Sequence, residues 1–351
     1  MLKLSKSEEL LQTLQTRVRV MNHGDRFPSV RQLMKEYGVS QFTVAPALTL
    51  LEEAGIIRRE VGRGTFVFRP TQVIPKRIAI LFPEWPSAAI QDMAKALESE
   101  TAARQWTSRK LAYDLASDVF SRLERIDADA IILDPPNPGE ITPKQLEALA
   151  QCRVPVVLVR SDIPLSSINC VCGNNSAAGI VAANYLMRNG HHNIGILISE
   201  PHVSTSTELV DSFCNSVRAG GAELTVIDCQ TRSGEDSVRS AYVKLKHWLT
   251  VNPLMFSALF VVSDESTLGA YKALAEHGIA VPEQLSVMGF GNASTSEFYH
   301  PGLTTIDTDY QEMARAALDI AVDQMECPEN SGQNYKVSPR VVERKSVIVP
   351  K

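Results

Sequence analysis

Long apolar runs are missing from this 351-residue sequence. No stretch approaches the ~20 apolar residues needed to cross a bilayer, so a membrane-spanning protein is not expected. The opening MLKLSKSEELLQTLQTRV lacks a signal-type apolar segment and carries Glu8 and Glu9, which predicts a cytoplasmic location. Cysteine is sparse: Cys152, Cys170, Cys172, Cys214, Cys229 and Cys327 form no C-x-x-C pair. Reduced thiols are therefore expected rather than a disulfide scaffold. Cys170 and Cys172 would share one face of a strand, as small buried hydrophobes or, less simply, as a redox pair. The motifs of common enzymes are also absent. There is no Gly-x-Ser-x-Gly elbow, no phosphate-binding Gly-Lys loop and no His-Glu-x-x-His helix. His191-His192 has no third ligand in spacing, so no metal or other cofactor is expected.

What is present is an ordinary globular composition, 44% hydrophobic and 21% charged, with a net charge of −5. The length exceeds one compact core, which predicts two or three folding units. Charge is uneven. Residues 1–70 hold eight Arg and three Lys against seven acidic residues, a balance of +4, and the remainder carries −9. A basic head on an acidic body points to a polyanionic partner for the head.

In the head, Leu4, Leu10, Leu11, Leu14, Val18 and Met21 form a helical stripe, ended by Asn22-His23-Gly24-Asp25. Ser29 is the expected N-cap of a second helix, with Val30, Leu33, Met34 and Tyr37 on one face and Gly38 as its stop. Ser40 is the expected cap of a third, with Val44, Ala47, Leu48 and Leu51 inward and Gly55 at its end. Strands are predicted over 56–61 and 65–68, around the turn Gly62-Arg63-Gly64. This order predicts a winged helix-turn-helix over 1–69; a generic three-helix bundle fits the spacing less well. The Pro-flanked segment 70–75 reads as a linker.

From residue 76 the pattern changes. Apolar strands at 77–82, 130–133, 154–159, 193–198, 223–227, 258–262 and 285–289 alternate with helices at 88–104, 177–189, 206–219, 237–250 and 266–277. Such alternation predicts parallel, doubly wound sheets, in two α/β lobes. The polar segment 327–335 is expected to be a loop.

The stretch PSVRQLMKEYGVSQFTVAPALTLLEEAGIIRREVGRGTFV (28–67) resembles the GntR family of winged-helix regulators. The segments NNSAAGIVAANYLMRNGHHNIGIL (174–197) and SDESTLGAYKALAEHGIAVPEQLSVMGF (263–290), with Pro301-x-Leu303-Thr304-Thr305-Ile306 and Val341–Ser346, resemble the LacI/GalR sensor domain. That domain has the type I fold of periplasmic sugar-binding proteins. The pairing is similar to that of arabinose repressors of the AraR type. It implies a sensor over 76–351, with lobe 1 at roughly 76–190 and 306–329 and lobe 2 at roughly 191–305 and 330–349. It also implies a homodimer that binds a double-stranded operator and a small effector, commonly a carbohydrate.

A recognition helix reaches base edges from its first turn. The helix starting at Ser40 makes Gln41 and Thr43 candidates for base or phosphate contact, and its free N–H groups favour a phosphate. Arg31 matches the family's phosphate-contacting arginine. Arg58, Arg59 and Arg63 lie on or beside the wing, with Gly62 and Gly64 letting its tip fold tightly so that Arg63 can enter a minor groove. The bland reading of each arginine is a solvated surface charge. Ala45-Pro46 departs from the family, and Pro46 leaves the Phe42 carbonyl without its helical donor, either in an open first turn or at a bend.

Family effector positions map onto Asn174, Leu209, Ser263, Asp264, Gly291 with Asn292, and the neighbourhood of Arg232. Several charged anchors are thereby lost. Trp85 is placed either to stack on a sugar ring or to serve as a surface or dimer contact. Asp264 is expected to cap the helix beginning at Ser266 first and to touch ligand second. A sensor that has lost its ligand, and a solute-binding protein, remain alternatives at this level.

Overall fold

Apolar spacing places the elements, and caps and glycines set their ends. The computed structural model describes residues 6–19, 21, 24–60, 63–67, 75–85, 87–163, 165 and 167–350. Leu4, Asn22-His23, Val61-Gly62, Phe68 and residues 70–74 of the linker expected over 70–75 therefore fall outside the described residues, as does Pro86 beside Trp85. The chain divides into two units at Ile74/Pro75.

The first unit runs α1 (Lys6–Arg19), β1 (Arg26–Phe27), α2 (Val30–Tyr37), α3 (Gln41–Glu53), β2 (Ile57–Glu60) and β3 (Gly64–Val67). Leu10, Leu14 and Val18 of α1 meet Leu33, Val44, Leu48 and Leu51 in one core, with Phe27, Ile57 and Val67 from the sheet. Ser29 closes α2 with a reciprocal capping box: its backbone N–H donates to Gln32 Oε1 at 2.8 Å and its hydroxyl accepts from the Gln32 N–H at 3.4 Å. Gly38 stops α2 at φ +65°, where a residue with Cβ is strained. Ser40 occupies the N-cap position of α3, but its hydroxyl caps nothing and lies 3.3 Å from Thr43 Oγ1. The sheet has three strands in the order β1-β3-β2, all antiparallel. The two-residue β1 is too short to leave a periodic signal in the sequence.

The second unit begins with β4 (Arg77–Pro83), α4 (Ala88–Ala103), β5 (Thr107–Tyr113), β6 (Ala130–Leu133), α5 (Pro143–Gln151), β7 (Val156–Val159) and β8 (Asn169–Gly173). There follow α6 (Asn175–Arg188), β9 (Asn193–Ile198), α7 (Ser204–Ala219), β10 (Glu223–Asp228), α8 (Ser237–Val251), β11 (Ala258–Val261), α9 (Asp264–Glu276), β12 (Ser286–Phe290) and β13 (Thr304–Asp307). The chain ends with α10 (Tyr310–Glu326), β14 (Asn334–Val337) and β15 (Arg340–Val342). Two six-stranded sheets result, ordered β14-β8-β7-β6-β4-β5 and β10-β9-β11-β12-β13-β15, parallel throughout except for β13 with β15. Each sheet is covered on both faces, with separate cores on its two sides. Burial on both faces is why the central strands read as continuous apolar runs.

The expected lobe boundaries need correction. The helix at 175–188 follows a lobe 1 strand, yet Ala178, Ala182, Ala183 and Leu186 pack against Ile194, Phe213 and Met288 of lobe 2. Gly179 makes this possible, since a Cβ there would come within 2.4 Å of the Leu209 carbonyl on α7. Strand β13 lies wholly in lobe 2, while β14 returns to lobe 1 beside β8. Lobe 1 is thus roughly 76–173 and 308–337, and lobe 2 roughly 174–307 and 338–349. Alternation counts strands but does not say which sheet each one joins. The segment expected to be a loop, 327–335, ends in β14 for the same reason: Asn334 and Tyr335 pair with Cys170 and Val171.

Candidate functional sites

In the first unit the second and third helices present two faces. The inner residues of α3, Val44, Ala47, Leu48 and Leu51, are buried, whereas Gln41 and Phe42 are exposed and Thr43 is half-buried. Pro46 does not interrupt α3, which runs from Gln41 to Glu53. With no N–H at Pro46, the Phe42 carbonyl lacks its i+4 donor in the first turn. Arg31 is exposed near the start of α2, and Arg58 is exposed on β2. Two other arginines are already engaged. Arg59 pairs with Glu52 at 3.3 Å, and Arg63, beside the half-buried Gly64, pairs with Glu60 at 2.6 Å while staying 75% exposed. These surface pairs are weak and open readily. Sequence reasoning named the arginines but missed Phe42, which is 91% exposed.

In the second unit, a cavity of about 210 Å³ lies between the lobes at the carboxyl ends of the strands, the position where open parallel sheets bind ligands. Of the predicted effector residues, Trp85, Leu209, Ser263 and Gly291 line it. The other four do not. Asn174 turns back to accept the Ala177 N–H at 3.0 Å and cap α6. Arg232 is exposed on a loop whose neighbour Ser233 supplies the lining. Asn292 accepts from Arg344 at 2.9 Å. Asp264 is buried behind the wall: it accepts from the Ala293 N–H at 3.0 Å and from the Ser296 and Thr305 hydroxyls at 2.6 Å each. It starts α9 itself rather than capping a helix at Ser266, and burial raises its pKa against the pull of those three donors.

Three charged groups missed by sequence reasoning complete the cavity. Asp134 follows β6, Arg160 follows β7 and Glu200 lies two residues past β9. Asp134 Oδ2 and Arg160 Nη1 stand 3.4 Å apart, and neither atom has a hydrogen-bond partner in the protein. Such orphaned buried polar atoms call for an explanation. Burial pushes the Asp134 carboxyl up to about 6, with Arg160 opposing. Burial likewise raises Glu200 to about 7, against hydroxyl contacts from Ser237 and Ser263. Trp85 is half-buried against the lobe 1 core. The cavity thus offers an aromatic face, several prolines and a small set of convergent donors and acceptors. A search for polar residues just past every strand would have found all three charges; positions taken from the family did not.

The lobes are joined by three crossings, after β8, β13 and β14, and also touch directly. The Ala88 N–H at the start of α4 donates to Glu265 at 2.8 Å, and the Ser294 N–H donates to Asp92 at 3.2 Å. Arg340 holds Asp307 at 2.7 Å beside the crossings. No helix among the described residues is long and apolar enough to cross a membrane.

Comparison with known proteins agrees with these two parts. Residues 7–67 match the model of bacterial regulatory proteins of the gntR family, and residues 183–347 match that of a periplasmic binding protein-like domain. The HTH-type transcriptional repressor PurR of Actinobacillus pleuropneumoniae is 28% identical over 211 residues, 60% of this chain and 62% of that protein. PurR of Haemophilus influenzae is 28% identical over 212 residues, again 62% of its length. The chain therefore spans less than two thirds of these curated relatives. Among solved structures, a LacI family transcriptional regulator from Enterococcus faecium with bound ribose superposes with a TM-score of 0.67 at 19% identity, covering 79% of this chain and all of the other. The dimeric Lac repressor gives 0.68 at 18% identity over 78% of this chain and all of the other.

Proposed function

We propose that this chain, whose residues 7–67 match the gntR family and whose second unit has the LacI-type periplasmic-binding-protein-like fold, is a cytoplasmic transcription repressor whose operator affinity is set by a small polar ligand. The observation that carries the reading is the interlobe cavity, where Asp134 and Arg160 face each other with unspent hydrogen-bonding atoms. A ligand bearing both hydroxyl donors and acceptors satisfies them, and Trp85 supplies a flat apolar face for a ring. A sugar or sugar derivative has both features.

The head's contacts follow from its surface. The N-terminus of α3 carries no side-chain cap, which leaves its N–H groups for a phosphate. Gln41 and Thr43 face the groove beside it. Arg31 and Arg58 take backbone phosphates, and Arg59 and Arg63 join them once released from Glu52 and Glu60. The protein works as a homodimer. Leu268 on α9 and Phe298 nearby are 54% and 78% exposed, and Tyr299 ties their segments together by donating to the Asp264 carbonyl at 2.8 Å. Ligand entry shifts the three crossings and changes the spacing of two heads over half-sites ~34–36 Å apart. It does so only in proportion to its preference for one lobe arrangement.

A gel shift on the upstream region of its own gene tests the head, with binding expected to fall steeply with salt. Thermal shift over a panel of sugars and sugar acids tests the sensor. A flat response throughout the panel would replace the ligand reading with a sensor used only for assembly.

A further inference from the structure

The recognition helix has an unusual composition for its task. Residues Gln41–Glu53 contain no Lys or Arg, while Arg31 and Lys35 lie on α2 before it and Arg58, Arg59 and Arg63 on or beside β2 after it. Its inner stripe is fully used by the core. Outward from the first turn stand Gln41, Phe42 and, one turn on from Phe42, Pro46, all exposed, with Ala45 half-buried between them. Phe42 at 91% is the most exposed large hydrophobe among the described residues. Its side chain contributes nothing to the head's core.

In the major groove each base pair shows a distinct edge, and only thymine offers a methyl group there. Apolar side chains, phenylalanine included, read that methyl, while glutamine pairs bidentately with the N6/N7 edge of adenine. A helix with an exposed Phe beside a Gln and without cations suits A·T pairs and lacks the Arg or Lys that reads guanine. Charge complementarity assigns the rest: the flanking arginines hold the phosphates on either side, and the uncharged helix face meets the bases. Pro46 adds apolar surface on the Phe42 side of the helix, residues four apart being neighbours.

We propose that Phe42 is a specificity-determining residue that contacts the 5-methyl group of thymine, with Gln41 reading an adjacent adenine, so that each half-site centres on A·T pairs. This rests on the DNA-binding role proposed for the head. The test begins with full-length protein and duplexes enriched from a library randomised over the central positions. The enriched duplex is resynthesised with deoxyuridine in place of thymine, one position at a time. Affinities of wild type and Phe42→Ala are measured by fluorescence anisotropy.

Wild type is expected to lose about four-fold per half-site at one thymine, the worth of one buried methyl group. Phe42→Ala is expected to bind the thymine duplex more weakly, to ignore the deoxyuridine change, and to keep the salt slope and melting temperature of wild type. If Phe42→Ala discriminates thymine from deoxyuridine as well as wild type does, or if the enriched half-sites centre on G·C pairs, the proposal is overturned and DNA binding stands. If wild type enriches no duplex, the DNA-binding reading itself fails and takes this one with it.

Discussion

Replacing Asp264 by Ala should destabilise the sensor while leaving the head intact. The carboxylate is 1% exposed and accepts three hydrogen bonds, from the Ala293 N–H and the Ser296 and Thr305 hydroxyls. It thereby ties α9 to the loop after β12 and to β13. Each donor left buried without an acceptor costs ~1–3 kcal/mol, which bounds the loss at roughly 3–9 kcal/mol. Two effects reduce it. Thr305 Oγ1 lies 3.5 Å from a second acceptor, the Ile306 carbonyl. Removing a carboxylate whose pKa is raised by burial also relieves a desolvation cost. A net loss of ~3 kcal/mol is expected, worth roughly 6–12 °C in a unit of this size. Calorimetry of the full chain would follow the sensor transition, with Asp264→Asn intermediate because one amide oxygen still accepts. If the Asp264→Ala transition stayed within about 2 °C of wild type by this scaling, the tie would be nominal and the structural assignment wrong.

Four further outcomes are expected. Arg63→Ala should weaken operator binding and lower the salt slope by ~0.9 for each phosphate no longer neutralised, whereas Glu60→Gln, by releasing Arg63 from its 2.6 Å partner, should tighten it; a gel shift over a salt series reads both. The Asp134 carboxyl is pushed up to about 6, above its unfolded value of ~3.9. The folded state therefore holds the extra proton between those pH values, and stability falls as pH rises through that window. The cost is fully present by neutral pH and amounts to ~3 kcal/mol at 1.36 kcal/mol per unit. Urea unfolding at pH 5 and pH 7 checks the sign, and Asp134→Asn should remove Asp134's share of the difference; stability rising with pH in wild type would contradict it. Ser29→Ala should cost ~1 kcal/mol by breaking the capping box at α2, visible as a lower melting point of the head alone. A ligand of the cleft should raise the sensor's melting temperature in wild type and lose most of that shift in Asp134→Ala; an unchanged shift would place the ligand elsewhere.

Much of the architecture is legible in the order of the amino acids. The stops at Gly38 and Gly55, the N-cap at Ser29 and the stripe Val44, Ala47, Leu48, Leu51 are local features, carried by backbone conformations and helical period, and each lies where the spacing puts it. The strands legible at 77–82, 130–133, 193–198 and 258–262 are buried on both faces, so the signal is strong and needs no partner to be recognised. Strand β5 escapes because its residues, TSRKLAY, are mostly exposed.

What the sequence determined by itself was therefore the strongly patterned elements and their two-unit organisation, since caps, periodicity and turn glycines act over a few residues. Tertiary structure alone decided which lobe claims each crossing element and which polar groups meet in the cleft. Helix α6 joined lobe 2 because Gly179 lets it close on α7. Asp134 and Arg160, 26 positions apart in the chain, became neighbours because β6 and β7 lie side by side and parallel and end at the same edge. Asn174, Asp264 and Asn292 left the cavity wall because Ala177, Ser296 and Arg344 offered them closer partners. Competition of this kind between distant groups has no local trace, so it was settled only when the chain was folded.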